Sequence, residues 1–294
     1  MDSGKRRQGC RMGPDAYRVA GLADALTALG HQVADHGDVA PDTVDIPEHD
    51  HLVKLPECIG WTQALNRAAK VAAGQGMPIF MGGDHALSMG TVSGMAEHAK
   101  AKGRPLFVLW LDAHSDFHTP QSTSSGNLHG SPVAYFTGQS GFDAFPALAA
   151  VVPTDQVGMI GLRSVDPEEH AALQSHDTML ADMRTIDEHG IKAPLVAFLD
   201  KVRAANGILH VSLDVDFLDP SVAPAVGTTV PGGATEREGH LVMELLHDSG
   251  LVCSLDLVEL NPFLDDRGRT AMLMVDLTAS LLGRRVFDRP TRSF

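Results

Sequence analysis

Short apolar runs recur along the chain at wide intervals, at residues 77–81, 106–111, 157–162, 208–213 and 252–257. Each is nearly continuous in apolar character, the pattern of a strand covered on both faces rather than one. Between them, apolar positions return at helical spacing. Residues 15–29 stop at Gly30 and residues 59–73 at Gly74, with glycine where a helix C-cap is expected. Residues 194–205 and 236–247 are patterned alike. Strand–helix alternation over this length predicts an α/β fold with a mainly parallel, doubly wound sheet. No internal repeat or low-complexity tract interrupts it. Residues 1–294 are therefore expected to form a single domain. Residues 120–130, rich in Ser, Thr, Gly and Asn, predict a long loop. Because that loop directly follows an acidic cluster, a functional loop is favoured over a linker.

Composition narrows the function classes. Apolar residues make up 44% and charged residues 20%, enough to bury a core and too few charges for a disordered chain. A net charge of -14 disfavours nucleic acid, which is bound by basic patches, and equally an anionic membrane surface. It suits a small cationic substrate, although solubility alone is the commoner reason for such a bias. Cys10, Cys58 and Cys253 show neither paired nor CxxC spacing, as expected of a protein in a reducing cytoplasm. No apolar run reaches the roughly 20 residues that span a bilayer, and the basic amino terminus lacks the apolar stretch of a signal peptide.

Three segments concentrate the chemistry, and each leaves the carboxyl end of an expected strand, where open parallel sheets place their ligands. GGDH ends in His85, DAHSD carries Asp112, His114 and Asp116, and DVD carries Asp214 and Asp216. Residues two apart on an extended chain project to one side, so each set can converge on a point. Alone, Asp-x-Asp is an ordinary turn or cap, and GGDH an ordinary tight turn before a helix. Their coincidence at equivalent strand ends favours a ligand site. Four clustered carboxylates repel one another unless cations intervene. Oxygen-rich ligation with two imidazoles suits Mn²⁺ better than a structural zinc. Six ligands exceed the needs of one catalytic metal that keeps a water, so two metals with shared carboxylates fit better.

The segments GGDHALSMG, LDAHSDFHTP, SSGNLHG, SLDVDFLDPSVAPAVGT and VELNP closely resemble the ureohydrolases, and among them the arginases. The resemblance runs from RRQGCRMGPDAYRVAGL to at least Asn261. It implies a three-layer α/β/α sandwich. It implies one Mn²⁺ on His85, Asp112, Asp116 and Asp214, and a second on Asp112, His114, Asp214 and Asp216, with a metal-bridging hydroxide as nucleophile. Asp116 is then the proton donor to the departing amine and His129 a proton shuttle. Glu259, otherwise readable as a surface ion pair, holds the guanidinium, and Thr228 orients Glu259. Thr123, Ser125 and Asn127 resemble the loop that grips the α-carboxylate of arginine. Asp166 and Glu169 resemble the acidic residues for its α-ammonium, although an Asp-Pro turn opening a helix explains them equally. Arg237 and Glu238 resemble residues near the subunit contacts of trimeric or hexameric members, so a homo-oligomer is expected.

Two positions depart from the arginase pattern. His118 stands where asparagine is usual, against the substrate carboxylate, and Ser164 where an acidic residue is common. The expected reaction is hydrolysis of L-arginine to L-ornithine and urea. The alternatives are a 4-guanidinobutyrase-like enzyme, an agmatinase, or a non-catalytic metal-binding relative. The other histidines show no ligand spacing, and Trp61 and Trp110 read as core.

Overall fold

The computed structural model describes residues 1–285 and 287, so the last part of the expected domain lies outside the described residues. Six strands, β1 (Ile79–Met81), β2 (Leu106–Leu111), β3 (Val157–Leu162), β4 (Met179–Asp182), β5 (Ile208–Asp214) and β6 (Val252–Val258), form one sheet. Every pairing is parallel, in the order β1-β6-β5-β2-β3-β4. The chain runs outward from β2 through β3 to β4, then returns to place β5 on the other side of β2. The reversal puts a crevice at the carboxyl ends of β2 and β5.

Alternation along β2 shows why its run is continuously apolar. Phe107, Leu109 and Leu111 join a core with Tyr17, Phe198, Val242 and Met274. Leu106, Val108 and Trp110 join a second core with Ile59, Met89, Val133 and Leu173. The helices that supply these residues cover both faces, giving the expected three-layer α/β/α sandwich. Among the described residues, no helix is long and apolar enough to cross a membrane.

Three of the elements that differ from the sequence expectation show why they do. The helix expected over 15–29 is two, Gly13–Val19 and Leu22–Thr27, separated by Gly21 at φ 83°. That left-handed residue ends the first helix before Gly30 can. The helix Ser88–Ala101 had no amphipathic signal because its first nine residues are all buried. Strand β4 lies at the sheet edge and is partly exposed, so it lacks an apolar run.

Candidate metal centre and substrate cleft

Leu111 of β2 pairs with Leu213 of β5, so Asp112 and Asp214 leave the sheet side by side. Strand β6 follows β5 and β1 follows β6, which brings the GGDH turn to the same edge. His85 Nδ1 lies 2.9 Å from Asp112 Oδ2, 3.2 Å from Asp116 Oδ2 and 3.1 Å from Asp214 Oδ2. His114 Nδ1 lies 3.4 Å from Asp112 Oδ1 and 3.1 Å from Asp216 Oδ2. Asp112 thus faces both imidazoles, one oxygen to each. Local turns aim these side chains: Asp112 Oδ1 accepts from His114 N at 2.7 Å, and Asp214 Oδ1 from Asp216 N at 2.8 Å. The turn reading of these motifs therefore holds, and it does not conflict with the ligand reading. Asp116 occupies the left-handed region at φ 47°, a conformation that re-aims its carboxylate and persists only where packing enforces it.

The residues fit a cation. His85 Nδ1 and Asp112 Oδ2 are buried without a hydrogen-bond partner, and each faces the other. Such orphans are costly unless something between them satisfies both. Electrostatics point the same way. Burial, then the Asp112 charge, pushes the Asp116 carboxyl well above its ordinary range. Burial and the charges of Asp216 and Asp112 do the same to Asp214, and burial with Asp112 raises Asp216. Asp112 moves down: burial opposes this, but the neighbouring His114 and His85 imidazoles prevail. Against burial, the Asp216 charge and the Asp112 hydrogen bond push His114 up to about 12. Carboxylates that cannot all ionise and imidazoles that hold protons are the signature of a site short of positive charge.

These six residues line one cleft of about 170 Å³ with His118, Thr123, Ser125, Asn127, His129, Asp166, Glu169 and Thr228. Of the expected site residues, Glu259 alone is missing from its walls. The loop over 120–130 is tethered by His51, whose Nε2 sits 2.7 Å from the Thr123 carbonyl oxygen, and by Arg6 N, which donates to Asn127 Oδ1 at 3.3 Å. Glu169 is spent on structure: Oε1 accepts from Ser115 Oγ and Phe117 N, each at 2.8 Å, and Oε2 from Asp166 N at 3.1 Å. Asp166 caps the helix Pro167–Leu173, yet its side chain stays 59% exposed to the cleft mouth. His118 is drawn to it, Nε2 to Asp166 Oδ2 at 3.1 Å, with Nδ1 3.0 Å from Ser122 Oγ.

Glu259 and Thr228 sit differently from expectation. Thr228 Oγ1 donates to Asp216 Oδ2 at 3.3 Å rather than to Glu259. Glu259 is buried with both oxygens engaged: Oε1 by His129 Nδ1 at 3.0 Å and His85 N at 3.1 Å, Oε2 by the ammonium of Lys5. The group that Glu259 meets in the cleft wall is His129. Lys5 carried no signal in the sequence, because its partner is remote and a lysine is ordinarily exposed. Trp110 is core as expected, but it also stacks on His85 with ring centres 3.9 Å apart and planes 6° from parallel. Arg163 reaches the carbonyl oxygens of Gly161 at 3.1 Å and Val230 at 2.8 Å, tying down the chain around the cleft.

A family model described as "Arginase family" matches residues 1–283. An arginase of Brucella melitensis is 60% identical over 100% of this chain and 97% of its own. An arginase of Bacillus subtilis is 37% identical over 97% and 96%. The crystal structure of Bacillus caldovelox arginase superposes with a TM-score of 0.89 at 34% identity, covering 97% of this chain and 96% of that one. By full-length sequence and by fold, this chain belongs to the arginase family.

Proposed function

We propose that this arginase-family hydrolase cleaves the guanidino group of L-arginine to give L-ornithine and urea, at a centre for two Mn²⁺ ions built within one ureohydrolase domain, 1–294. The observation that carries the reading is the pair of orphaned, mutually facing atoms His85 Nδ1 and Asp112 Oδ2 at the floor of a cleft. The mouth of that cleft carries an exposed carboxylate, Asp166, and the hydroxyls of Thr123 and Ser125.

His85, Asp112, Asp116 and Asp214 would hold one ion, and Asp112, His114, Asp214 and Asp216 the other. When bound, the metals would supply Lewis-acid activation of a water near neutral pH. Asp116, on the cleft side of the cluster, accepts the proton given up by the attacking water and passes it to the departing amine. His129, fixed through Nδ1 by Glu259, keeps Nε2 for proton exchange in the cleft. Glu259 acts through His129, and Lys5 balances its charge. Thr123, Ser125 and Asn127 donate to the α-carboxylate, Asp166 receives the α-ammonium, and His118 steadies Asp166. Gripping both α-substituents fixes the amino-acid end of the substrate at the cleft mouth and leaves its guanidinium directed to the floor.

Thiols left unpaired in Cys10, Cys58 and Cys253 are in keeping with a cytoplasmic location. Assembly as a trimer or hexamer belongs to the same reading, with Arg237 exposed on the helix Glu236–Ser249. Sedimentation of the purified protein tests it.

Urea release from L-arginine, agmatine and 4-guanidinobutyrate, each with added Mn²⁺, tests the reaction. Turnover of arginine well above the other two is expected. Faster turnover of either rival would replace the proposed substrate, and no urea from any would remove the catalytic reading.

A further inference from the structure

A line of buried hydrogen bonds leads from His85 away from the cleft and into one face of the sheet. His85 Nε2 lies 2.8 Å from Ser212 Oγ, and Ser212 Oγ lies 3.4 Å from Ser88 Oγ. Ser88 Oγ donates to Asp256 Oδ2 at 2.7 Å, and Thr91 Oγ1 donates to the same oxygen at 2.8 Å. His210 Nε2 stands 3.2 Å from that oxygen. Ser88, Thr91, His210, Ser212 and Asp256 are all fully buried. His210 and Ser212 of β5 alternate with Leu209, Val211 and Leu213, which face the opposite core. They therefore share the face against which the helix Ser88–Ala101 packs.

The line has a direction. A carboxylate only accepts, so the single hydroxyl proton of Ser88 is committed to Asp256. Across the Ser88–Ser212 contact the proton must then come from Ser212. With its own proton committed, Ser212 can only accept from His85, so the hydrogen of that imidazole is drawn to Nε2. Nδ1 is left as a lone pair, and Nδ1 is the nitrogen that faces Asp112, Asp116 and Asp214. The bond made by one ring nitrogen decides what the other can ligate.

We propose that Asp256 is a positioning residue of the metal centre: acting through Ser88 and Ser212, it selects the His85 tautomer whose Nδ1 can take a cation. The proposal rests on the metal reading above. Its consequence is selective, because only the ion held by His85 depends on this line, while His114 answers to Asp112 and Asp216.

The test is Mn²⁺ titration of metal-free protein by calorimetry, with thermal unfolding of the same samples before metal is added. In Ser88→Ala the line is cut while Asp256, Thr91 and Ser212 remain. One of the two Mn²⁺ sites is expected to weaken about tenfold or more, within the range typical for outer-shell partners. The other site stays as in the wild type, and Ser88→Thr restores the weakened site. Wild-type affinity at both sites in Ser88→Ala would overturn the proposal. So would equal weakening of both sites together with a lowered metal-free Tm, which marks a packing defect. A wild type that takes up no Mn²⁺ would refute the metal reading itself, and this proposal with it.

Discussion

Lys5 and Glu259, 254 positions apart in the chain, form a buried ion pair beneath the cleft. Lys5 also donates to Cys10 Sγ at 3.1 Å. Burial opposes both charges, yet the Glu259 charge raises the Lys5 ammonium, and the Lys5 charge with the His129 hydrogen bond holds Glu259 well below the usual carboxylate range.

Lys5→Met leaves a buried carboxylate without its counter-ion, and a loss of about 3–5 kcal/mol in unfolding free energy is expected. The sign with pH follows from the two shifts. Glu259, depressed, contributes stability that is whole above about pH 4.3 and is lost as pH falls through its folded value. Lys5, raised, contributes stability that is whole below about pH 10.4 and is lost as pH rises through its folded value. Urea unfolding of both proteins at about pH 7, between these limits, should therefore show the full gap. A gap under about 1 kcal/mol would mean that the pair is not buried in solution.

Metal binding should expel protons. Without metal, Asp116, Asp214 and Asp216 are raised by burial and by one another, and His114 is pushed up to about 12, so the ligands hold protons that an incoming cation must displace. Apparent Mn²⁺ affinity is expected to fall as pH falls. The binding heat should also vary between buffers of different ionisation enthalpy, in proportion to the protons released. Equal heats in all buffers would contradict the protonated cluster.

Asp116→Asn is expected to lower kcat by about 10²- to 10⁴-fold, the range for loss of a proton-transfer group. Asparagine tolerates the left-handed backbone of this position at φ 47°, so the circular dichroism spectrum should not change. Wild-type turnover in a folded variant would remove Asp116 from the reaction.

Asp166→Asn weakens the grip on the far end of the substrate without touching the floor of the cleft. A rise of about tenfold in KM for arginine is expected, with kcat little changed, matching about 1.4 kcal/mol of lost charge-assisted bonding at a half-exposed group. A fall in kcat at constant KM would place Asp166 in the chemical step instead.

Much of the site was legible before the fold. His85, Asp112, His114, Asp116, Asp214 and Asp216 follow apolar runs, and a parallel sheet collects all strand ends at one edge. Period-two geometry and charge repulsion then did the rest. Less legible were elements without pattern. The helix Ser88–Ala101 is buried nearly all round, and Gly21 splits a helix whose apolar spacing runs on across it.

The amino-acid sequence by itself determined the strand runs, the parallel architecture, the cluster of ligands and the likeness to ureohydrolases, because periodicity and strand-end position are local properties. Only the tertiary structure decided which partners those groups meet. Glu259 reads as a free carboxylate at a strand end until folding brings Lys5 and His129 against it. Asp256 reads as one more residue of a strand until the helix Ser88–Ala101 lays Ser88 and Thr91 on it. Contacts between residues far apart in sequence leave no periodic trace, and in a buried site such contacts set charge, tautomer and direction.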